Sequence, residues 1–314
     1  MRRASADGQL EPVAALVQRL AVLLAAGVAP ASAWGYLAEV DGPQRNRLRA
    51  VTRAIASGAA APEAIASVLT EEGTRVDRPS AAAWQGLAAA WLVATGAGAP
   101  LAGCLQDFAG SLRGLAQTSR DLRTALAGPV ATARMVLVLP LVGVLFGIVL
   151  GFNTIGTLLG TPGGLVCLAA GTALLLAARW WNRRLVAAAR PTQFTPGLTL
   201  DLTAIAVSGG ASLPRAMQLV DAARQRCGIR EDDADPVIAE VLALSRRAGV
   251  PAAVLLRSEA EELRRRARST GEQQAAKLAV TLMLPLGLCI LPAFMLLGVA
   301  PLLIAIVSST AGVL

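Results

Sequence analysis

Two long stretches of the chain contain no charged residue, and they constrain the fold more than any other feature of the sequence. They cover residues 135–178, which are 44 residues, and residues 278–314, which are 37 residues. About 20 apolar residues in a helix cross the hydrocarbon core of a bilayer, so both stretches are long enough to do so. The mean hydropathy of the whole chain is +0.56, a value that soluble domains of this size seldom reach. The sequence predicts a membrane protein.

The first uncharged stretch divides at residues 153–164, where Gly, Thr and Pro cluster between two apolar runs. This pattern predicts a helical hairpin over residues 133–182, with spans at about 135–152 and 165–181. Arg134 precedes the first span and four arginines lie at or beyond the end of the second, whereas the connecting loop has no charge. The positive-inside rule therefore places both outer ends in the cytoplasm. The arginines that follow are Arg179, Arg183, Arg184 and Arg190.

The second uncharged stretch lies in residues 277–314 and predicts a third span, entered from the cytoplasm just after Lys277. Whether residues 300–314 extend this span or turn back is left open. A proline inside a helix removes a backbone donor and crowds the preceding turn, which bends the helix. Pro140 in the first span, and Pro285 and Pro292 in the third, are therefore predicted kink sites.

Residues 1–132 and 183–276 remain outside the membrane, and their Ala-, Leu- and Arg-rich composition predicts helices. The predicted fold class is accordingly an all-α membrane protein with two duplicated cytoplasmic helical bundles and three transmembrane helices. The protein is expected to be multi-pass, with its N-terminus in the cytoplasm.

The duplication rests on two constant offsets. Gly98, Pro100 and the apolar face that follows them match Gly249, Pro251 and a similar face 151 residues later. Ala26 and Gly27 match a Gly-Gly pair 183 residues later, and the difference implies an insertion of 32 residues in the first copy. Duplication explains both offsets, although Ala- and Leu-rich helices also match each other by chance.

Three motifs in the second copy carry a family resemblance. They are Val-Ser-Gly-Gly-Ala-Ser-Leu-Pro-Arg-Ala at 207–216, Ala-Gly-Val-Pro at 248–251, and Leu-Pro-Leu-Gly-Leu-Cys-Ile-Leu-Pro-Ala-Phe-Met-Leu-Leu-Gly at 284–298. With them the chain resembles the type II secretion system F family, the inner-membrane platform proteins of type II secretion, type IV pilus and tight-adherence (Tad) pilus machines.

The resemblance implies a non-enzymatic subunit of the bacterial inner membrane that couples a hexameric secretion ATPase to extraction and assembly of a pilin or pseudopilin. It also implies contact with membrane lipids, an oligomeric state and, as one alternative, a paralogous platform protein as partner. The first copy departs from the family pattern through its insertion and the absence of a second proline in its span.

The chain offers few groups for chemistry. It contains no His, and it has no Walker A loop, no Gly-x-Ser-x-Gly motif and no cluster of metal ligands, so neither catalysis nor a cofactor is expected. One Tyr gives no stacking surface, and the basic pI therefore does not indicate nucleic acid. A membrane transporter or channel subunit is the alternative function, although residues 135–178 and 278–314 contain no acidic or basic residue.

Two clusters are candidate contact sites. Gly143, Gly147 and Gly151 are spaced four residues apart, which brings them onto one helix face and allows a second helix to approach closely. The other cluster is basic and could contact acidic lipid, an ATPase surface or only solvent. Its members are Arg264, Arg265, Arg266 and Arg268.

Overall fold

A computed structural model describes residues 10–40, 42–73, 78–149, 156, 159–188, 195–229, 234–301 and 303. Those residues form helices and no strand, which confirms the all-α prediction. The helices are α1 (Leu10–Ala25), α2 (Pro30–Glu39), α3 (Arg45–Ala56), α4 (Ala61–Glu72), α5 (Arg78–Ala97), α6 (Leu101–Val149), α7 (Pro162–Ala188), α8 (Leu198–Ser208), α9 (Leu213–Cys227), α10 (Asp235–Ala248) and α11 (Ala252–Thr281).

The chain divides into two compact units, and each unit combines two separate parts of the sequence. The first unit contains Met1–Asp121 and Thr192–Ser269, and the second contains Leu122–Pro191 and Thr270–Leu314. Residues 1–132 and 183–276, which the sequence predicts to be two separate bundles, thus both contribute to the first unit. Two of the three division points fall inside long helices, the first in α6 and the last in α11.

Helix α5 lies at the centre of the first unit, in contact with α1, α4, α8 and α9. Its buried residues point in all directions, and Trp84, Leu87 and Val93 have no exposed surface. The rings of Trp34 on α2 and Trp84 lie 6.3 Å apart and are stacked. This packing explains why α5 has no polar face, since each side meets another helix.

Helix α8 belongs to two hydrophobic cores at once. On one side Leu202 and Ile205 join the core formed by residues from α1 to α6 and from α9. On the other side Leu200 and Ala204 join a second core with α10 and α11. The sequence of α8 carries a single charge, Asp201, and this is the physical reason that the two regions merge into one unit.

Equivalent turns occur at the positions related by the offsets of 183 and 151. Gly27 lies in the turn after α1 and Gly210 in the turn after α8, and their φ angles are 83° and 86°. Gly98 and Gly249, before α6 and α11, have φ of 72° and 68°, a region that favours glycine. The hydrogen bonds correspond as well: the Gly27 amide donates to the carbonyl three residues before it, and so does the Gly210 amide.

Helices α3 and α4 occupy the part of the chain where the two offsets differ. Arg47 on α3 donates to Glu72 on α4, with an ion-pair distance of 2.7 Å, and its guanidinium lies 5.5 Å from the centre of the Trp84 ring. One arginine therefore joins both helices to α5.

In the second unit, α7 packs against a helix that runs from Met283 to Val299. The closest approach is at Gly171, where an added Cβ would lie 2.4 Å from Cγ of Leu297. Large apolar side chains on both helices, among them Leu165, Leu176 and Leu288, are exposed. This pattern suits a lipid environment better than water.

Two helices in the described residues are long and apolar enough to cross a membrane, Pro162–Leu185 and Ala252–Val299. They include the second and third predicted spans. For the first predicted span, α6 is helical as far as Val149, and residues 150–152 lie outside the described residues.

Candidate functional site

The four arginines of the basic cluster on α11 form two pairs that have different surroundings. Residues four apart share a face of a helix, so Arg264 and Arg268 point to one side. Arg265 and Arg266 lie on other faces, and their side chains are 63% and 67% exposed. The four arginines therefore do not form one contact surface.

Arg264 makes the most buried ion pair of the cluster. Its Nη1 atom donates to Oδ2 of Asp201 on α8 at 2.8 Å, and the two side chains are only 16% and 15% exposed. The Ser111 hydroxyl on α6 donates to the same Oδ2 atom at 3.4 Å. Burial raises the pKa of the Asp201 carboxyl above its usual range, and the Arg264 charge opposes that rise. Three helices meet at this carboxylate.

Two further ion pairs join α6 to α11. Arg268 pairs with Asp121 at 2.8 Å, and Arg257, about three helical turns earlier, pairs with Asp107 at 3.0 Å. These side chains are one third to one half exposed, so each pair contributes little to stability alone. The two pairs join α11 to α6, whereas Arg264 joins α11 to α8.

Arg265 and Arg266 interact within α11. Both donate to Glu262, at 3.0 Å from Nε of Arg265 and 2.9 Å from Nε of Arg266. These hydrogen bonds lower the pKa of Glu262, which keeps it ionised. The result is an exposed patch in which the guanidinium groups of Arg265 and Arg266 flank Glu262, and Glu261 lies 3.7 Å from Arg265.

A corresponding polar contact occurs at the related positions of the first part of the chain. Arg113 lies 151 residues before Arg264, and Gln18 lies 183 residues before Asp201. Arg113 on α6 donates to Oε1 of Gln18 on α1. The geometry is shared, but an uncharged amide takes the place of the carboxylate.

The glycine and proline candidates fall in different settings. Gly143, Gly147 and Pro140 lie in α6, which continues as helix past all three, and Gly151 lies outside the described residues. Pro285 and Pro292 border π-helical turns at Leu286–Ile290 and Met295–Val299. Their role as kink sites, like the packing role of the glycines, stays a prediction.

The sequence interpretation missed the close contacts made by other glycines. At Gly209, an added Cβ would lie 2.5 Å from the Ala97 carbonyl oxygen, so α8 and α5 touch backbone to backbone there. In the sequence, the Gly-Gly pair at 209–210 is only part of the repeat and of the 207–216 motif. Gly171, against Leu297, was likewise not distinguished from the other glycines of the apolar stretch.

The described residues contain no group of three His, Cys, Asp or Glu side chains that could hold a metal ion. Cys104 and Cys227 are buried in the first unit, where burial raises the pKa of both thiols and brings that of Cys227 to about 11. Thiols with raised pKa values are poor nucleophiles.

Comparison with known families identifies the family of the chain. The sequence model of type II secretion system (T2SS) protein F matches residues 16–149 and 199–300, more than half of the chain. The chain belongs to the type II secretion system protein F family. A search of curated protein sequences finds no match to it. Proteins of the type II secretion system protein F family are inner-membrane platform proteins and are generally non-catalytic.

The two ranges matched by the protein F model correspond to the two offsets. Their first residues, 16 and 199, differ by 183, and their last residues, 149 and 300, differ by 151. The ion pairs described above lie inside these ranges, so the polar contacts of α6 and α11 belong to the part of the chain that the family shares.

Proposed function

We propose that this chain is a platform subunit of a type II secretion or Tad/type IV pilus assembly system, without enzymatic activity of its own. It couples a cytoplasmic secretion ATPase to the extraction and assembly of pilin or pseudopilin subunits. The membership in the protein F family carries this proposal. The ion-paired helices α6 and α11 support it, because each begins among polar contacts and continues into an apolar segment.

The proposed architecture is a duplicated one. Equivalent left-handed glycines, equivalent turn hydrogen bonds and the shared arginine contact at Arg113 and Arg264 support two copies of one helical unit. The first copy contains α1, α2, α5 and α6, and the second contains α8 to α11. Helices α3 and α4 are the insertion in the first copy.

We further propose three membrane spans with the N-terminus in the cytoplasm. The apolar end of α6 supplies the first span, α7 the second, and the helix after Lys277 the third. Arg134, and Arg179 to Arg190, flank the hairpin as the positive-inside rule requires. Trp180 and Arg184 support an interface at the end of α7, since the guanidinium lies 5.2 Å from the ring centre.

The exposed patch of Arg265 and Arg266 is the surface that we assign to the ATPase. Arg266 precedes Leu278 by twelve residues, which is about 18 Å along a helix. That distance exceeds a Debye length of about 8 Å at physiological salt, so attraction to lipid head groups is screened there. A protein partner with an acidic surface is therefore favoured over the membrane itself.

In-membrane cross-linking with mass spectrometry tests the function. Cross-links from the first unit to a secretion-type ATPase, together with cross-links from the spans to a pilin-like helix, are expected. Arg265→Glu with Arg266→Glu should remove the ATPase cross-links, whereas Arg53→Glu on α3 should retain them. Recovery of substrate-carrying partners instead, or ATP turnover by the purified chain alone, would reject the platform proposal.

A further inference from the structure

The second unit contains a groove near the end of α7. Its volume is about 580 Å³, and its described walls are Trp180, Trp181, Arg184 and Leu185. Three of these walls are large apolar side chains, and the fourth is a cation. An apolar groove with a single cation suits an amphiphilic ligand whose polar end carries a negative charge.

Two adjacent ridges of α7 form the groove. Trp180 and Arg184 are four residues apart and share one face of the helix, and Trp181 and Leu185 share the next face. The ring of Trp181 packs against the small core to which Cys289 belongs, so this ridge is held by the rest of the unit. Trp180 is 62% exposed. One wall of the groove is therefore fixed by packing, and the other faces outwards.

The exposed ridge continues along α7 as an apolar strip. Leu176 lies four residues before Trp180 and is 68% exposed, and Arg184 lies about 12 Å beyond Leu176 along the helix. The strip thus passes from aliphatic side chains through an aromatic ring to a cation, which is the order of hydrocarbon, interface and head group in a lipid leaflet. The exposed members before Arg184 are Ala169, Ala173, Leu176 and Trp180.

The guanidinium of Arg184 has donors available for a ligand. It lies 5.2 Å from the centre of the Trp180 ring, and it forms no hydrogen bond or ion pair with any residue that the structure describes. A contact with an aromatic ring leaves the N–H groups of a guanidinium free, and phosphate is a group that they bind in a bidentate manner. Arg184 can therefore hold a phosphate without losing another partner.

The second unit has little negative charge of its own to neutralise Arg184. Glu272 is the one acidic residue in the sequence of residues 122–191 and 270–314. This excess of positive charge favours a negative partner from outside the chain. The basic residues in the same ranges are Arg123, Arg134, Arg179, Arg183, Arg184, Arg190 and Lys277.

The position of Arg184 favours a lipid over a protein as that partner. Tryptophan rings at the end of a membrane span lie at the level of the head groups. Arg184 follows Trp180 by four residues, which is about 6 Å along the helix. Lipid phosphates at that level are within a Debye length of about 8 Å at physiological salt. An acidic protein surface would first have to displace them.

We propose that this groove binds an anionic phospholipid, with the phosphate on Arg184 between the two tryptophan ridges and one acyl chain along the strip that includes Leu176. The proposal rests on the membrane span that the proposed function assigns to α7. A zwitterionic lipid is a poorer ligand, because its own ammonium group compensates the charge of its phosphate. The bound head group fixes the depth of α7 in its leaflet.

Quenching of tryptophan fluorescence by brominated lipids tests the site in the full chain. The chain is reconstituted in two kinds of vesicle, both of phosphatidylcholine and phosphatidylglycerol in equal parts. The acyl chains of the phosphatidylglycerol are brominated in one kind, and those of the phosphatidylcholine in the other. The other tryptophans, Trp34, Trp84 and Trp91, are buried in the first unit, so the signal reports on Trp180 and Trp181. Quenching should indicate a preference of about fivefold for the anionic lipid.

Substitutions on α7 assign this preference to the groove. Arg184→Gln should remove it, so that both brominated lipids quench equally. The matched control is Arg183→Gln, which removes the same charge from the neighbouring exposed position outside the groove and should retain most of the preference. Replacement of both Trp180 and Trp181 by Phe should abolish the quenching. Retained helical circular dichroism shows that the variants are folded.

Three results would overturn the proposal. Equal quenching by the two lipids in the unchanged chain would show only the ordinary contact of a span with a bilayer. Equal effects of Arg183→Gln and Arg184→Gln would show a general attraction of positive charge to the membrane. Both results leave the platform function standing, since no ATPase or pilin takes part. Absence of quenching by either lipid would mean that protein covers this end of α7 or that α7 is not a span, and would count against the proposed topology as well.

The cross-linking test of the platform function is independent of the lipid site. Loss of the ATPase cross-links would leave a fivefold preference for the anionic lipid unaffected.

Discussion

The Arg264 guanidinium and the Asp201 carboxylate form a 2.8 Å ion pair that joins α11 to α8 inside the first unit. The contact between Arg113 and Gln18, at positions related to these by the offsets of 151 and 183, has no negative charge. A buried charge is costly unless its partner remains. Loss of Arg264 should therefore cost more than loss of Arg113.

Replacement of Arg264 should destabilise the first unit. Arg264→Gln leaves Asp201 poorly paired, and we expect a loss of about 2–3 kcal/mol in the free energy of unfolding, somewhat below the value for a fully buried pair. Arg265→Gln, on an exposed side of the same helix, should change it by less than about 0.5 kcal/mol. Thermal unfolding in detergent measures both, and equal losses would show that the buried pair has no special role.

The effect of Arg264→Gln should depend on pH. Burial holds the pKa of Asp201 above its unfolded value, so the native state keeps a proton that the unfolded state has lost, and stability falls as pH rises through that interval. Removal of Arg264 takes away the charge that opposes the pKa rise. The destabilisation should therefore be larger at pH 7 than near about pH 4, the usual range of a free Asp. A pH-independent loss would contradict this.

Cys227 should resist thiol reagents in the folded protein. With a pKa of about 11, its thiolate fraction at pH 8 is on the order of one in a thousand, and the side chain is buried. In a chain with Cys104, Cys167 and Cys289 changed to alanine, maleimide labelling should be slow and should accelerate in denaturant. Rapid labelling of the native protein would indicate that α9 opens away from α5.

Gly209 should not accept a side chain. A Cβ there meets the Ala97 carbonyl oxygen at 2.5 Å, and backbone atoms cannot move aside easily, so Gly209→Ala should cost about 1–3 kcal/mol. Gly103→Ala in α6 meets nothing within 4 Å and should be neutral or stabilising by up to about 1 kcal/mol. The comparison of their melting temperatures checks the backbone contact between α5 and α8.

Local patterns predicted much of the helical structure. Gly98 and Gly249, each followed by a proline two residues later, lie just before the starts of α6 and α11. Such signals depend on neighbouring residues only. For the same reason the sequence indicated an all-α protein and the apolar segments.

The partners of the arginine cluster could not be predicted in that way. Asp201 and Asp121 lie 63 and 147 residues from Arg264 and Arg268 in sequence, and only tertiary packing brings them together. Helical periodicity alone could have separated Arg264 and Arg268 from Arg265 and Arg266. It could not have shown which face was buried. The sequence of α8 has no polar face, and this pattern indicates a helix that packs against other helices on more than one side.

The position of α8 between two cores also bears on how independent the halves of the chain are. A fragment that ends before Leu198 would expose the face of α5 that contacts α8 and α9. A fragment that begins at Leu198 would expose the apolar side chains of Ile205 and Leu219. We therefore expect the halves, expressed as separate polypeptides, to recognise and solubilise one another. The covalent connection would then set their stoichiometry, while the apolar contact between α5 and α8 would determine whether either half folds.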